Sequence, residues 1–402
     1  MTIKPALTAR IPSIEVFRAL TMALMVYVND LWTLAGVPHW MEHAETHEDF
    51  LGLSDIVFPA FLFIMGLSIP YAIRNRIANG YTQANILGHI LLRALVLLIM
   101  GLFTLNSGSI NGAATGIRPE WFEILMVTGF FLVWNVYPKA ENRKKYLFLG
   151  LQGMGLLLLA CLAIIYRRGG SNGTPLGWIR TGWWGILGEI GWAYLGAAII
   201  YLLARKKTWL LVLSWLGFTF MTIASHSGLL KCIWPSGPVE WIPGNGAYHS
   251  FSLAGIIVAL LIERFYRKES WKLLVVLLAT SVALLLAGIL SRHYFIMSKN
   301  LATPTWIFTT LAISIAFYGM IHWLVDRQGK ANWFRIIAPA GIATLTCYLI
   351  PYLIYSFRDL LGALLPAAMK SGTIGLVKSF VYTLLVIGIT ALLGKMKIRL
   401  KI

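Results

Sequence analysis

Three histidines spaced four apart, His39, His43 and His47, share the stretch HWMEHAETHED with Glu42, Glu45, Glu48 and Asp49, and Asp55 follows shortly after. Asn29 and Asp30 precede them at the end of an apolar run. Imidazole beside carboxylate supports two kinds of chemistry. Histidines at i and i+4 share a helix face and could hold zinc, but Pro38 and the acidic surroundings match no closed ligand set, so no metal site is expected. The other chemistry is proton transfer, since imidazole titrates near neutrality and serves as general base or nucleophile. An acidic outer loop needs no catalytic explanation, which covers His47 and the glutamates. Asn29, Asp30 and Asp55 lie at the ends of apolar runs, where an ionisable group is a functional candidate. For Asp55 the equal alternative is a helix cap after Gly52, Leu53 and Ser54. No G-x-S-x-G elbow and no phosphate-binding glycine loop accompany these residues, and Cys161, Cys232 and Cys347 lie too far apart for a metal-type spacing.

The elements that must position this cluster are membrane helices. Of 402 residues, 58% are hydrophobic and 12% charged, about half the charged fraction of ordinary soluble domains. Several apolar runs reach the ~20 residues that cross a hydrocarbon core, and none alternates like a barrel strand. The expected fold is all-α, a polytopic transmembrane bundle forming a single domain over residues 1–402. Spans are expected near residues 13 to 34, 51 to 73, 85 to 106, 121 to 137, 146 to 166 and 182 to 204. Six more follow near 209 to 228, 249 to 263, 271 to 291, 304 to 325, 336 to 356 and 373 to 394. That makes about twelve, with eleven as the alternative. No cleavable signal peptide is visible in the opening MTIKPALTAR.

Charge supplies an independent check on orientation. The net charge is +18, but the basic residues form short clusters between spans and no single stripe, which argues against nucleic acid. Cytoplasmic loops should hold the excess of Lys and Arg. With both termini inside, that side carries Lys4 and Arg10, then Arg74 and Arg76, then Lys139, Arg143, Lys144 and Lys145. Arg205, Lys206, Lys207, Arg264, Arg267, Lys268 and Lys272 continue the pattern. Outer loops 35 to 50, 107 to 120, 167 to 181 and 226 to 248 are then placed to roof an extracytoplasmic cavity. Arg18, Arg93, Glu123 and Glu189 are too costly to face lipid, so they should point inward, with ion pairs the expected role for at least two. Asn300, His249 and Ser252, near outer ends of later spans, either join the cavity or cap helices.

Two segments carry a resemblance. SIEVFRALTMALMVYVND, residues 13 to 30, and SDIVFPAFLFIMGLSIP, residues 54 to 70, resemble the opening of the transmembrane acyltransferases related to heparan-alpha-glucosaminide N-acetyltransferase, in the form of bacterial homologues without the luminal domain. That family opens with a pattern like S-x-D-x-F-R-G, an apolar stretch ending V-N, a His-containing loop, and D-L-V-F-P-x-F-x-F-I-M-G. SKNLATPTWIFTT, residues 298 to 310, and PAGIATLTCYLI, residues 339 to 350, fit more loosely. Glu15 stands where the family has Asp, and Ala19 where it has Gly.

The resemblance implies transfer of acetyl from cytosolic acetyl-CoA, as co-substrate, to the amine of an amino sugar of glucosamine type, heparan-derived in the lysosomal relatives. It implies His43, Asn29 and Asp55 as catalytic residues, with His39 and Asp30 as rivals. CoA is a polyanion that cannot cross lipid, so its phosphates would stay near Arg74, Arg76, Arg143, Lys144 or Lys145, and Asn300 and His249 are candidates for the sugar. His43 would deprotonate the ammonium or itself take the acetyl group, and Asn29 would hold the thioester oxyanion. Further expectations are an inner-membrane location with the histidine loop facing the periplasm, and partners limited to the bilayer, the sugar and, as an open question, a second copy in a homodimer. The competing reading is a sugar or amino-sugar transporter. It predicts repeat symmetry and polar residues at the midplane, and the polar residues here gather at the outer mouth without a visible repeat.

Overall fold

The computed structural model describes residues 11–138, 141, 143–169, 176–204, 207–232, 243–265, 270–363 and 365–401. Lys4, Arg10, Lys139, Arg205, Lys206, Arg267 and Lys268, with parts of the expected outer loops at 170–175 and 233–242, lie outside them. Among the described residues fourteen α-helices run in order. They are α1 (Pro12–Asp30), α2 (Leu53–Ala78), α3 (Gln83–Ser107), a one-turn α4 (Gly112–Thr115), α5 (Pro119–Trp134), α6 (Arg143–Ile165) and α7 (Gly185–Ala204). Then come α8 (Thr208–His226), α9 (Ala247–Phe265), α10 (Ser270–Ser291), α11 (Pro304–His322), a short α12 (Ala338–Ile342), α13 (Thr344–Leu360) and α14 (Gly372–Lys395). Among the described residues there is no strand, only isolated bridges such as Ile110 with Arg168, which joins the connection after Ser107 to the one after Ile165.

Each of the twelve expected spans falls on one of these helices. Nine of the described helices are long and apolar enough to cross a membrane. The three expected spans outside that set have local reasons. Glu15, Arg18 and Asp30 dilute α1, α5 has 16 residues, and α13 has 17 because the segment breaks at Ala343 into α12 and α13. Helix α11 ends in a π-turn over Trp323–Arg327, which is why its hydrophobic run outlasts its α-helical geometry.

Burial separates a centre from a periphery. The most apolar window of α9 is 78% buried and that of α6 only 17%. Helices α2, α7, α9 and α11 form the centre, while α6, α8, α10 and α14 turn Leu147, Leu157, Leu278, Leu290 and Phe380 outward, as hydrocarbon surroundings require. Central helices approach closely through small residues. A Cβ on Gly66 of α2 would collide with the carbonyl oxygen of Ser252 on α9, and one on Gly255 of α9 with that of Phe63. Ser252 is therefore a packing position. Its hydroxyl donates to the carbonyl of Tyr248 at 3.2 Å.

The buried charges differ from expectation in their partners. Arg18 Nη2 donates to Ser68 Oγ at 2.6 Å, and Arg93 lies 4.7 Å over the ring of Tyr194. Glu123 accepts from Ser107 at 3.1 Å and Ser356 at 2.7 Å, and Glu189 pairs with the hydroxyl of Tyr248. Among the described residues none of the four has an oppositely charged side chain within 4.0 Å. Hydroxyls and a ring face meet the charge without desolvating a second one. Among the described residues, interior ion pairs lie elsewhere, for example at Asp30 with Lys378 and at Arg74 with Glu263.

Candidate active site

The site is built on the first turn of α2. Gly52 is the N-cap, and the carboxylate of Asp55 reaches back so that Oδ2 accepts the N–H of Gly52 at 3.2 Å and of Ala44 at 3.0 Å. The cap and the functional candidate are thus one residue. Asp55 is 1% exposed, with its other oxygen still available. That oxygen, Oδ1, meets His43 Nδ1 at 2.7 Å.

The main-chain carbonyl of Asp55 is equally engaged. Pro59, four residues on, has no N–H for it, so the helix leaves that carbonyl open. The indole N–H of Trp306 on α11 donates to it at 3.1 Å. The proline inside α2, a helix breaker elsewhere, here docks α11 onto the base of the site.

The histidine loop is fixed from both sides. Ser54 Oγ donates to the carbonyl of Met41 at 2.6 Å, holding the loop on α2. From the α10–α11 connection, Ser298 Oγ donates to Thr46 O at 2.8 Å and Asn300 Nδ2 to Ala44 O at 3.3 Å. Arg292 Nε donates to both carboxylate oxygens of Asp49, at 3.1 and 3.0 Å, and the Met297 N–H donates at 2.7 Å. Burial alone would raise the Asp49 carboxyl, but the Met297 N–H and the Arg292 guanidinium outweigh it and hold the group below its ordinary value.

A lysine outside the sequence candidates completes the cluster. Lys299 places Nζ 3.2 Å from His43 Nδ1 and 4.0 Å from Asp55 Oδ1. Burial pushes its ammonium below the ordinary lysine value, partly offset by Asp55 and by Glu189 of α7. Its only signal in the sequence is its place beside Asn300 in the loosely matching SKNLATPTW stretch.

The 48% exposed His43 side chain leaves Nε2 without a partner among the described residues. With Asp55 accepting at Nδ1, the ring is oriented as in a base-and-orienter pair, and Nε2 can take a proton from a substrate. A shallow depression of about 540 Å³ lined by Glu45, Thr46, His47, Glu48 and Asn300 adjoins the loop.

The remaining candidates are placed apart. His39 stacks on Phe50 at 4.3 Å and meets Glu48 at 2.8 Å, with no contact to Asp55. Asp30 is 2% exposed and accepts from Tyr355, Lys378 and Ser379, each at 2.6 Å, a node that ties α1 to α13 and α14 and leaves no oxygen facing a cavity. Asn29 sits half-buried at the last turn of α1, its amide without a side-chain partner among the described residues. His249 is buried and stacked on Phe218 at 4.6 Å against Gly196, away from the histidine loop. On the opposite end of α2, Arg74 is already paired with Glu263 and with the Tyr201 hydroxyl at 3.0 Å. Arg143, Lys144 and Lys145 open α6 as exposed residues, and Arg76 is half-buried. Among the described residues no group of His, Cys, Asp and Glu is arranged to hold a metal ion.

Comparison with known proteins gives two results. A family profile described as a domain of unknown function, DUF5009, matches residues 10–262. Heparan-alpha-glucosaminide N-acetyltransferase from Homo sapiens is 34% identical over 102 residues, covering 25% of this chain and 14% of the human protein. The Mus musculus protein of the same name is 30% identical over 139 residues, covering 32% of this chain and 20% of its own length. The alignments thus span no more than a fifth of the relatives' length.

Proposed function

The chain belongs to the DUF5009 family, and from that premise we propose that it is a membrane-embedded acetyltransferase acting on an extracytoplasmic amino sugar, with His43 as general base. The observation that carries the reading is the His43–Asp55 contact of 2.7 Å with Nε2 open to the loop side. The two N-acetyltransferase relatives support the reaction class. In this reading residues 1–402 form one domain of twelve spans with cytoplasmic ends, set in a bacterial inner membrane with the histidine loop toward the periplasm.

The donor is cytosolic acetyl-CoA. Arg143, Lys144, Lys145 and Arg76 meet its phosphates, and Arg74, already neutralised by Glu263, holds helices together instead. The acceptor is a glucosamine-type sugar whose amine is drawn toward Glu45 and Glu48 of the depression, with Asn300 at its rim. His43 Nε2 removes a proton from the ammonium. The free amine attacks the thioester carbonyl, the C–N bond forms as the C–S bond breaks, and the surplus proton on the nitrogen passes to the leaving thiolate to give CoA thiol. The Asn29 amide N–H steadies the oxyanion.

Purified protein in nanodiscs, given labelled acetyl-CoA with and without glucosamine, tests this. Acetylated glucosamine from wild type and from His39→Ala, absent from His43→Ala, is the expected result. Sealed vesicles that move labelled glucosamine across the bilayer while no CoA thiol is released would replace the acetyltransferase by a transporter.

A further inference from the structure

Three ionisable groups meet at one atom of the site. Nδ1 of His43 lies 2.7 Å from Asp55 Oδ1 and 3.2 Å from Lys299 Nζ, and Lys299 is itself 4.0 Å from that carboxylate oxygen. Two proton arrangements are conceivable. If the ammonium donated to an Nδ1 lone pair, that lone pair would also face the carboxylate at 2.7 Å, acceptor against acceptor. If Nδ1 carries the proton, it donates to Asp55, and the ammonium lies 4.0 Å from the same carboxylate oxygen. The second arrangement satisfies the carboxylate, with the ammonium held by charge and not by a hydrogen bond to the ring, and it leaves the Nε2 lone pair outward.

The backbone around Lys299 is correspondingly fixed. Its carbonyl accepts the N–H of Ala302 at 2.9 Å, and the residues before and after it are bonded to Thr46 and Ala44 of the histidine loop. Ala302 takes a left-handed φ of 53°, which a β-carbon resists, so the turn that presents Lys299 is maintained against local preference. The other charged groups near the ring are accounted for. Glu189 of α7 faces Lys299 beyond contact distance and is bonded to the Tyr248 hydroxyl, Glu42 and Glu45 share the loop with His43, Glu48 is engaged by His39, and Asp49 by Arg292.

We propose that Lys299 is a positioning residue: its ammonium, 4.0 Å from the Asp55 carboxylate that holds the ring proton on Nδ1, keeps a second proton off the His43 ring, so that Nε2 stays a proton acceptor. The role follows from two effects of one charge. A cation beside Nδ1 opposes a second proton on the ring, and the same cation satisfies part of the buried Asp55 carboxylate, which would otherwise draw His43 to the imidazolium. This inference rests on the reading of His43 as the base, yet it concerns the state of the ring and is measured without turnover.

The experiment is ¹⁵N NMR of the full chain labelled at histidine in nanodiscs at pH 7.5, with the His43 signals assigned by their loss in His43→Asn. Wild type is expected to show one protonated and one lone-pair nitrogen, with Nδ1 protonated. Lys299→Gln, which keeps a polar side chain in the turn, is expected to move both nitrogens to the imidazolium pattern, and Lys299→Arg to restore the wild-type pattern. In the transfer assay Lys299→Gln then loses kcat by about tenfold or more at pH 7.5, within the range of losing a general base, and Lys299→Arg recovers most of it. Wild-type ring signals in a folded Lys299→Gln chain would overturn the proposal. Absence of transfer by every chain, wild type included, would instead remove the acetyltransferase reading and leave the NMR result standing.

Discussion

Trp306 reaches across from α11 to donate its indole N–H to the main-chain carbonyl of Asp55 at 3.1 Å, and it can do so because Pro59 leaves that carbonyl without a helical partner. The proline and the tryptophan are therefore coupled through an atom that belongs to neither. Trp306 is fully buried, so Trp306→Phe leaves the carbonyl unsatisfied and should destabilise the protein by about 1–3 kcal/mol. In a Pro59→Ala background the restored helical N–H competes for the same oxygen, and the cost of Trp306→Phe should shrink. Thermal midpoints of the four chains in one detergent check this, and equal costs in both backgrounds would contradict the coupling.

Asp55 combines a cap with a contact to the candidate base, and two substitutions separate these tasks. Asp55→Asn keeps an oxygen for the Gly52 and Ala44 N–H groups but no longer fixes the His43 proton on Nδ1. It should cost about 10²- to 10⁴-fold in transfer rate, the range for losing general-base function, with a small change in thermal midpoint. Asp55→Ala should lose the rate as well and also lower the midpoint, since removing a cap costs about 0.5–2 kcal/mol. A rate unchanged in Asp55→Asn would show that the 2.7 Å contact is structural only.

The Asp49–Arg292 contact fastens the histidine loop to the α10–α11 connection, and its pH dependence has a definite sign. The native Asp49 carboxyl is held below its ordinary value of 3.8, so its contribution is complete above that value and is lost as pH falls through the lower native one. Hydrogen exchange of residues 42–49 should thus be flat from pH 7 to 5 after correction for intrinsic rates, and protection should fade only in stronger acid. Arg292→Ala should remove that protection at pH 7. Because both side chains are about half exposed, high salt should partly reproduce the effect.

How far the sequence disclosed this arrangement depends on the range of the interactions concerned. The helices were legible because apolar runs and alternating charge are local properties, and each expected span lies on a helix. Asp55 and His43 could be proposed from the residue pattern of their segment, with His43 preferred, although the pattern gave no physical ground for preferring it to its rival His39. That distinction rests on the fold of the loop, which turns one ring onto the cap of α2 and stacks the other on Phe50. Lys299 stayed hidden because it is 256 residues from its partner, and its role exists only once α10 and α11 bring the connection against the loop. The same holds for Arg18, Arg93, Glu123 and Glu189. Hydropathy correctly placed them inside, but their hydroxyl and aromatic partners depend on helix rotation, which a one-dimensional pattern does not fix.

Asp30 illustrates the opposite outcome, a catalytic candidate that the fold engages elsewhere. Its carboxylate oxygens accept from Tyr355, Lys378 and Ser379 at 2.6 Å each, so it joins α1 to two helices near the other end of the chain. Breaking a buried pair by removing one partner leaves a desolvated charge, at a cost of about 3–5 kcal/mol, whereas removing both can be nearly neutral. Lys378→Met alone should therefore lower the thermal midpoint more than Lys378→Met combined with Asp30→Asn. Transfer rate per folded molecule should stay near wild type in the double variant, because the Asp30 oxygens point to α13 and α14 and not to His43. A double variant that folds but no longer transfers acetyl would return Asp30 to the active site. It would also make the last turn of α1, where Asn29 lies, the next place to look for the residue through which it acts.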